Sequence, residues 1–261
     1  MAGFSNINID LSETFPLLSR APIVEAVLDI RARGEAPWEI DNLRRQIESR
    51  LPEYPSIFPQ HLVRREIHFA PLQSKVPLDQ SVSDFGFRCE SADKQQIVQI
   101  NQEGFLFSRL EPYISWQHLC KEGLRLWGVF SDITQPKVLH RIGLRFINRI
   151  TLPFGENRYE DYINFSTASV KGLELPVYEF MGQEVFAVPG YDYAIKFITA
   201  LQQPGNANLE GYSLILDIDV IASKELEFDE VVLKKKLHEM RWLKNKIFFG
   251  SITDKTLNLI R

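Results

Sequence analysis

Alternation of apolar and charged residues in two separated stretches constrains the fold of this chain more than any other feature. The first stretch is IVEAVLDIRAR at residues 23–33, and the second is HRIGLRFINRI at residues 140–150. A period of two is the repeat of an extended strand, because successive side chains of a strand point to opposite faces of a sheet. Each stretch therefore predicts a strand with one apolar face toward a core and one charged face away from it.

Helical periodicity follows these strands. Apolar residues recur three and four positions apart in WEIDNLRRQIESRL, SWQHLCKEGLRLWGVF and DEVVLKKKLHEMRWLKNKIFFGSI. Short β-rich runs separated by turn sequences lie between the helical segments, which is typical of an antiparallel meander. We predict an α+β protein in which helices pack on one face of an antiparallel sheet.

The order strand, helix, several strands, long helix occurs twice along the chain. We therefore predict an N-terminal arm at residues 1–20, a first α+β half at 21–136 and a second half at 137–261 that shares the same sheet. Such an order suggests an internal duplication. It resembles the saddle-shaped fold of the TATA-binding protein, and that likeness implies an architecture but no function.

Composition excludes several classes of protein. The 261 residues are 44% hydrophobic and 25% charged, which is typical of a globular chain and not of a disordered one. A net charge of −4 provides no global positive field, so nucleic acid is disfavoured as a partner. No run reaches the roughly 18 apolar residues of a membrane span, and the first residues do not read as a secretion signal. We expect a cytoplasmic protein with no membrane contact.

The charged face of the predicted strands is the candidate binding site. Alternation places Arg141, Arg145 and Arg149 on one side of a strand, about 7 Å apart, with Ile142, Leu144 and Phe146 on the other. The same reasoning adds five further residues to this face: Glu25, Asp29, Asp217, Asp219 and Arg109.

Two interpretations of this face remain open. The first is a solvated surface stabilised by cross-strand ion pairs. The second is a polar floor where arginine side chains receive a carboxylate, a phosphate or an acidic segment of a partner protein. Close pairing of the arginines with the acidic residues would leave no free guanidinium for an anion.

Motifs for known chemistry are missing from the sequence. It contains no GxSxG elbow, no GxxxxGK[ST] phosphate loop and no GxGxxG turn. The five histidines (His61, His68, His118, His140 and His238) are not spaced as metal ligands, and Cys89 and Cys120 lie in segments of different type. We expect no metal, no cofactor and two cysteines packed in the core.

The basic segment KKKLHEMRWLKNK, at residues 234–246, superficially suggests a nucleic-acid site. Its positive side chains alternate with a regular apolar stripe when the segment is drawn as a helix. We therefore interpret Lys234, Lys235, Arg241, Lys244 and Lys246 as a solvated helix face.

Four separated blocks carry a resemblance to known sequences: APIVEAVLDIRAR, FSRLEPYISW, HRIGLRFINRITLP and SITDKTLNLI. Together they are similar to a sporadically distributed bacterial family of uncharacterised proteins, over about residues 20 to 258. The resemblance implies no activity, catalytic residue or cofactor. A patchy distribution would suit genes for defence or toxin control.

These observations favour a non-catalytic binding or regulatory module. Its expected partner is another protein or a small acidic ligand, bound on the charged sheet face or in a cleft between the two halves. One alternative is an enzyme of unrecognised type that uses Asp217 or Asp219 beside Arg145 as acid or base. Another is an accessory subunit of a bacterial defence or toxin-control system, and self-association of the chain also stays open.

Overall fold

The structure is a computed structural model that describes residues 6–67, 78–154, 158–166, 175–203 and 211–261. Side chains at 64–67 and 78–80 lie outside this description, as does His68. The strands are β1 (Ile23–Arg31), β2 (Ser56–Ile67), β3 (Leu78–Glu90), β4 (Gln96–Asn101), β5 (Gly104–Leu110), β6 (Val138–Leu139), β7 (Arg141–Pro153), β8 (Phe180–Ala187), β9 (Tyr193–Gln202), β10 (Gly211–Ala222) and β11 (Leu226–Glu227). The helices are α1 (Ile40–Arg50), α2 (Trp116–Thr134), α3 (Glu230–Ser251) and α4 (Asp254–Ile260), with a 3-10 helix at Tyr159–Tyr162.

Nine strands form one antiparallel sheet, in the order β2-β3-β4-β5-β1-β7-β10-β9-β8. The two alternating strands, β1 and β7, pair with each other at its centre. Moving outward, β5, β4 and β3 follow β1, while β10, β9 and β8 follow β7. Only the first half has a further described strand, β2, and the small second sheet pairs β11 with β6.

Alternation gives the sheet one apolar face. Leu28, Leu144 and Leu216 lie on the face that packs against the helices, and each is at most 2% exposed. We call this side the helix face. The opposite side, which carries Asp29, Arg145 and the other odd-numbered residues of β7, of β10 and of β1 from Glu25 onward, is called the open face.

The long helices pack on the helix face because their apolar stripes fit it. Helix α2 contacts β5, and α3 contacts β10 and β7. Each begins at a residue suited to accept hydrogen bonds from the first backbone amides: Ser115 accepts from the His118 amide, and Asp229 accepts from the amides of Val231 and Val232.

The N-terminal arm forms a third layer over α3. Glu13 accepts a hydrogen bond from Trp242 Nε1 at 2.8 Å and pairs with Lys246 Nζ at 2.9 Å. The Phe15 ring stacks on Phe249 with the ring centres 5.7 Å apart. The described part of the arm therefore covers α3 before the chain enters β1, and residues 1–5 lie outside the description.

The α+β class with antiparallel sheet is confirmed. The strand order on either side of the β1 and β7 pair is what a duplicated unit would produce, since β1, β5, β4 and β3 occupy the places that β7, β10, β9 and β8 occupy in the other half. Duplication itself, and the division into halves at residue 137, remain predictions.

Candidate binding face

The arginine row lies where the alternation places it. Arg141 stands opposite Arg31 of β1, and Arg145 stands opposite Val27. Arg149 follows on the same face and is exposed, while Phe146 on the helix face is 1% exposed. The prediction that three arginines project from one face of β7 is confirmed.

Arg145 is held by a single carboxylate through two hydrogen bonds. Its Nε donates to Asp217 Oδ1 at 2.8 Å, and its Nη2 donates to Oδ2 at 2.5 Å. Asp217 is 6% exposed because Ile147 of β7 and Ile198 of β9 stand opposite it on the two neighbouring strands. This side-by-side geometry is the strongest form of arginine and carboxylate contact, and it occupies the Nε and Nη2 edge of the guanidinium.

Arg141 bridges two carboxylates from different strands. Its Nη1 donates to Asp29 of β1, and its Nη2 lies 3.4 Å from Asp219 Oδ2 of β10. Gly143 makes this possible, since a Cβ at that position would stand 3.2 Å from Arg141 Nη2. The guanidinium therefore lies across β7 in space that a side chain would fill. Asp29 also has Arg31 Nε 3.0 Å from its second oxygen.

Burial and these contacts shift proton affinity on the open face. Burial raises the pKa of Asp219, against the opposing effects of Arg141 and Arg145. The hydrogen bonds that Arg145 donates to Asp217 raise the pKa of Arg145 and keep this guanidinium charged. Asp219 is thus a carboxyl of the open face that holds a proton more readily than an ordinary aspartate does.

Arg149, Glu25 and Lys196 are charged residues of this face with no ion pair among the residues that the structure describes, and Lys196 lies opposite Asp219. Arg149 is exposed on β7 opposite Ile215, and Glu25 lies opposite Ile147 and Leu110. Of the three arginines in the row, Arg149 alone therefore presents a guanidinium that no described carboxylate engages.

The expectation that Arg109 joins the open face was wrong. Arg109 stands opposite Ala26, which is a helix-face residue, and it is 4% exposed. Its guanidinium donates to the Pro112 carbonyl at 3.1 Å and to Gln95 Oε1 at 2.7 Å. The error arose because β5 carries apolar residues on both faces, so that alternation in GFLFSRL does not identify the covered side.

Lys244 was also assigned to the wrong environment. It is 8% exposed and occupies the stripe of α3 that faces the sheet, in line with Leu237, Met240 and Phe248. Its Nζ lies 4.2 Å from the centre of the Phe146 ring, and no carboxylate of the described residues pairs with it. Burial lowers the pKa of Lys244 to about 7, with a smaller contribution from Arg241. The three- and four-residue spacing to Met240 and Phe248 was the signal that could have revealed it.

The remaining candidates lie apart from this face. Among the described residues no group of three or more His, Cys, Asp and Glu side chains could hold a metal ion. Cys89 is buried, as predicted, and burial raises its pKa to about 12, while Cys120 is half-buried.

Two grooves also lie away from the arginine row. One of about 460 Å³ runs between the arm and α3, lined by residues that include Glu13, Arg241 and Asn245. The other, of about 740 Å³, includes Arg31, Glu103 and His140 at the end of the strands. Neither of these two grooves is lined by Arg141, Arg145 or Arg149.

No described helix combines the length and apolar character needed to cross a membrane. Comparison with protein-family models, with curated proteins and with solved structures returned no match to this chain. The resemblance of its four sequence blocks to a bacterial family remains a prediction.

Proposed function

We propose that this chain is a non-catalytic binding module whose open face receives a partner protein. The observation that carries the proposal is the pre-arranged pairing of charges at the centre of that face. Asp29 and Asp217 already engage Arg141 and Arg145, and aliphatic side chains such as Ile147 stand half-buried between them. Covering such a surface costs less desolvation than covering unpaired charges.

The same pairing makes a small acidic ligand the less favoured occupant. An anion would compete with Asp217 for Arg145 or rely on Arg149 and Lys196, the cations of this face that have no ion pair among the described residues. A protein surface can instead bury the aliphatic residues and place one acidic group against Arg149. Interfaces of this kind combine an apolar centre with a few charged contacts that set orientation.

The enzyme alternative has weaker support. Both oxygens of Asp217 accept hydrogen bonds from Arg145, so this carboxylate is engaged within the protein and is not directed at a substrate site. Asp219 has a raised pKa, but it belongs to the same charge network and lines neither of the grooves described above. A role in defence or toxin control stays a prediction from the sequence resemblance.

Charge reversal on the open face tests the proposal. A photocrosslinking amino acid at Ile198, compared with one at the exposed Lys121 of α2, would identify a protein that contacts the open face in cells of the source organism. That protein, once purified, is titrated against the wild-type chain and against Arg149→Glu. We expect the variant to bind at least about tenfold more weakly, which corresponds to about 1.4 kcal/mol.

Lys121→Glu is the matched control, because it makes the same change of charge at an exposed position of α2. It should leave the affinity within about twofold of the wild-type value. Equal weakening by both variants would indicate a general charge effect, and unchanged binding of Arg149→Glu would refute the open face as the working surface. Phosphate and citrate serve as probes for the small-ligand alternative, and we expect neither to raise the melting temperature.

A further inference from the structure

The two edges of the nine-stranded sheet differ in how they discourage further pairing. Edge strand β2 contains Pro59, a register shift between Gln60 and His61, and the charged run Arg64, Arg65, Glu66. Proline, bulges and charges are the usual devices that keep an edge from pairing with another chain. Edge strand β8 reads FMGQEVFA and has none of them except the single charge of Glu184.

Strand β8 is also regular and unusually apolar for an edge. It pairs with β9 without a shift from Phe180 to Ala187, and β9 is its one partner among the described residues. Met181 and Val185 are 79% and 65% exposed on the open face, and Phe186 is 39% exposed on the other side. Its counterpart in the first half, β3, has β2 on its outer side. The corresponding place outside β8 is occupied by no strand among the described residues.

The sequence of β8 is complementary to itself in one antiparallel register. If Gln183 lies opposite Gln183 of a second copy, Met181 faces Val185 and Phe180 faces Phe186. Directly opposed residues then share a face, as an antiparallel pair requires. Glu184 faces Gly182, which leaves it free of a like charge.

Neighbouring registers are worse. A shift by two residues one way places Glu184 opposite Glu184 of the second copy, and like charges directly opposite are destabilising. The shift in the other direction places Met181 opposite Gln183 and Phe180 opposite Glu184. Only the register centred on Gln183 matches apolar residues with apolar residues on both faces.

We propose that a second copy of this chain pairs with β8 around a two-fold axis at Gln183, joining two nine-stranded sheets into one of eighteen strands. The axis stands perpendicular to the sheet, so the open faces of both copies lie on the same side. Eight residues a strand form a small interface, and we expect a dissociation constant on the order of 1 to 100 µM. This inference does not depend on the proposed function.

Sedimentation velocity of the full chain between about 1 and 300 µM tests the proposal. We expect a reversible monomer–dimer equilibrium in the wild-type chain. Val185→Lys should raise the dissociation constant of the dimer by at least about tenfold, because each dimer gains two lysines at its apolar centre. Val82→Lys is the matched control: Val82 is 60% exposed on the hairpin of the opposite edge, and its substitution should leave the equilibrium unchanged.

A charge swap identifies the register. The double variant Met181→Glu/Val185→Lys brings opposite charges together twice across the axis, and it should dimerise more strongly than Val185→Lys alone. A wild-type chain that is monomeric at 300 µM, a dimer insensitive to Val185→Lys, or no recovery in the double variant would each overturn the proposal. If Val185→Lys abolishes the dimer but still binds the purified partner protein, dimerisation through β8 and partner binding at Arg149 are independent of each other.

Discussion

On the open face of the sheet Arg145 meets Asp217 through two hydrogen bonds, whereas on the helix face Lys244 projects onto Phe146 with no described carboxylate beside it. Both side chains are basic, but their surroundings are opposite. Neighbouring strands bring a partner to Arg145, and the apolar surface around Lys244 brings none. Charge is therefore matched at Arg145, where the neighbouring strand supplies a carboxylate, and it is unmatched at Lys244, where a helix packs on the sheet.

The difference between the exposed and the buried site also determines how strongly a charge affects the stability of the fold. An exposed pair contributes little to stability, because water solvates each partner almost as well when they are apart. A buried ammonium without a counter-ion loses its hydration and shifts its pKa. We therefore expect the helix face to respond more strongly to substitution than the open face does.

The largest expected effect compares two adjacent residues of β7. Phe146→Ala removes a ring that is 1% exposed and lies under Lys244, and it should lower the free energy of unfolding by about 3–5 kcal/mol. Ile147→Ala, on the half-buried open face, should cost about 1 kcal/mol. Urea denaturation of both variants measures the difference, and equal costs would mean that the open face is covered as fully as the helix face.

A smaller and opposite effect is expected at Lys244. Lys244→Met keeps the length of the side chain and removes the buried charge, so it should raise the free energy of unfolding by about 2 kcal/mol at pH 6 to 7. Lys235→Met on the exposed side of the same helix is the control, and it should change stability by less than about 0.5 kcal/mol. A destabilised Lys244→Met variant would show that the ammonium has a favourable partner.

The dependence on pH gives the same experiment a sign. The folded-state pKa of Lys244 is lowered to about 7, whereas an unfolded lysine keeps a pKa near 10.4. Between these values the unfolded chain binds the extra proton, so the stability of the wild-type chain rises with pH. The advantage of Lys244→Met should therefore be full below about pH 7 and shrink toward pH 10.

The smallest effect concerns the paired charges. In a double-mutant cycle, Asp217→Asn and Arg145→Gln should show a coupling of about 1 kcal/mol, because Asp217 is largely buried and Arg145 is half-exposed. Glu25→Gln, on the same face, has no described ion pair and only a minor electrostatic effect on Arg145, so it should couple to Arg145→Gln by no more than about 0.3 kcal/mol. A coupling above 3 kcal/mol would mean that the open face is desolvated in the isolated chain.

The face on which a side chain lies can be predicted from the sequence where the two faces of a strand differ strongly. In β7 each arginine of the row is followed by a large apolar residue, so the face of each side chain follows from its position. The partner of each arginine does not follow in this way, because it depends on the register between strands that are distant in sequence. Asp217 and Arg145 are 72 residues apart and meet through the pairing of β10 with β7.

The environment of a side chain was predicted wrongly where the type of the residue disagrees with its surroundings. Lys244 is hydrophilic by type, and only its helical spacing from Met240 and Phe248 indicates burial. Arg109 lies in a strand with apolar residues on both sides, where alternation carries little information. In both cases the packing of other elements decides the environment, and a local pattern does not contain it.

Gly143 gives the centre of the sheet a property that its apolar pattern lacks. A slip of β1 against β7 by one residue would turn apolar side chains to the wrong face, but a slip by two residues would keep every side chain on its proper face. The hydrophobic pattern alone therefore does not exclude a slip by two residues. Arg141, lying in the space over Gly143, reaches Asp29 on one side and Asp219 on the other, and a two-residue slip would carry Asp29 about 7 Å away. The bridge is thus a contact that forms only when the two central strands are in their native register.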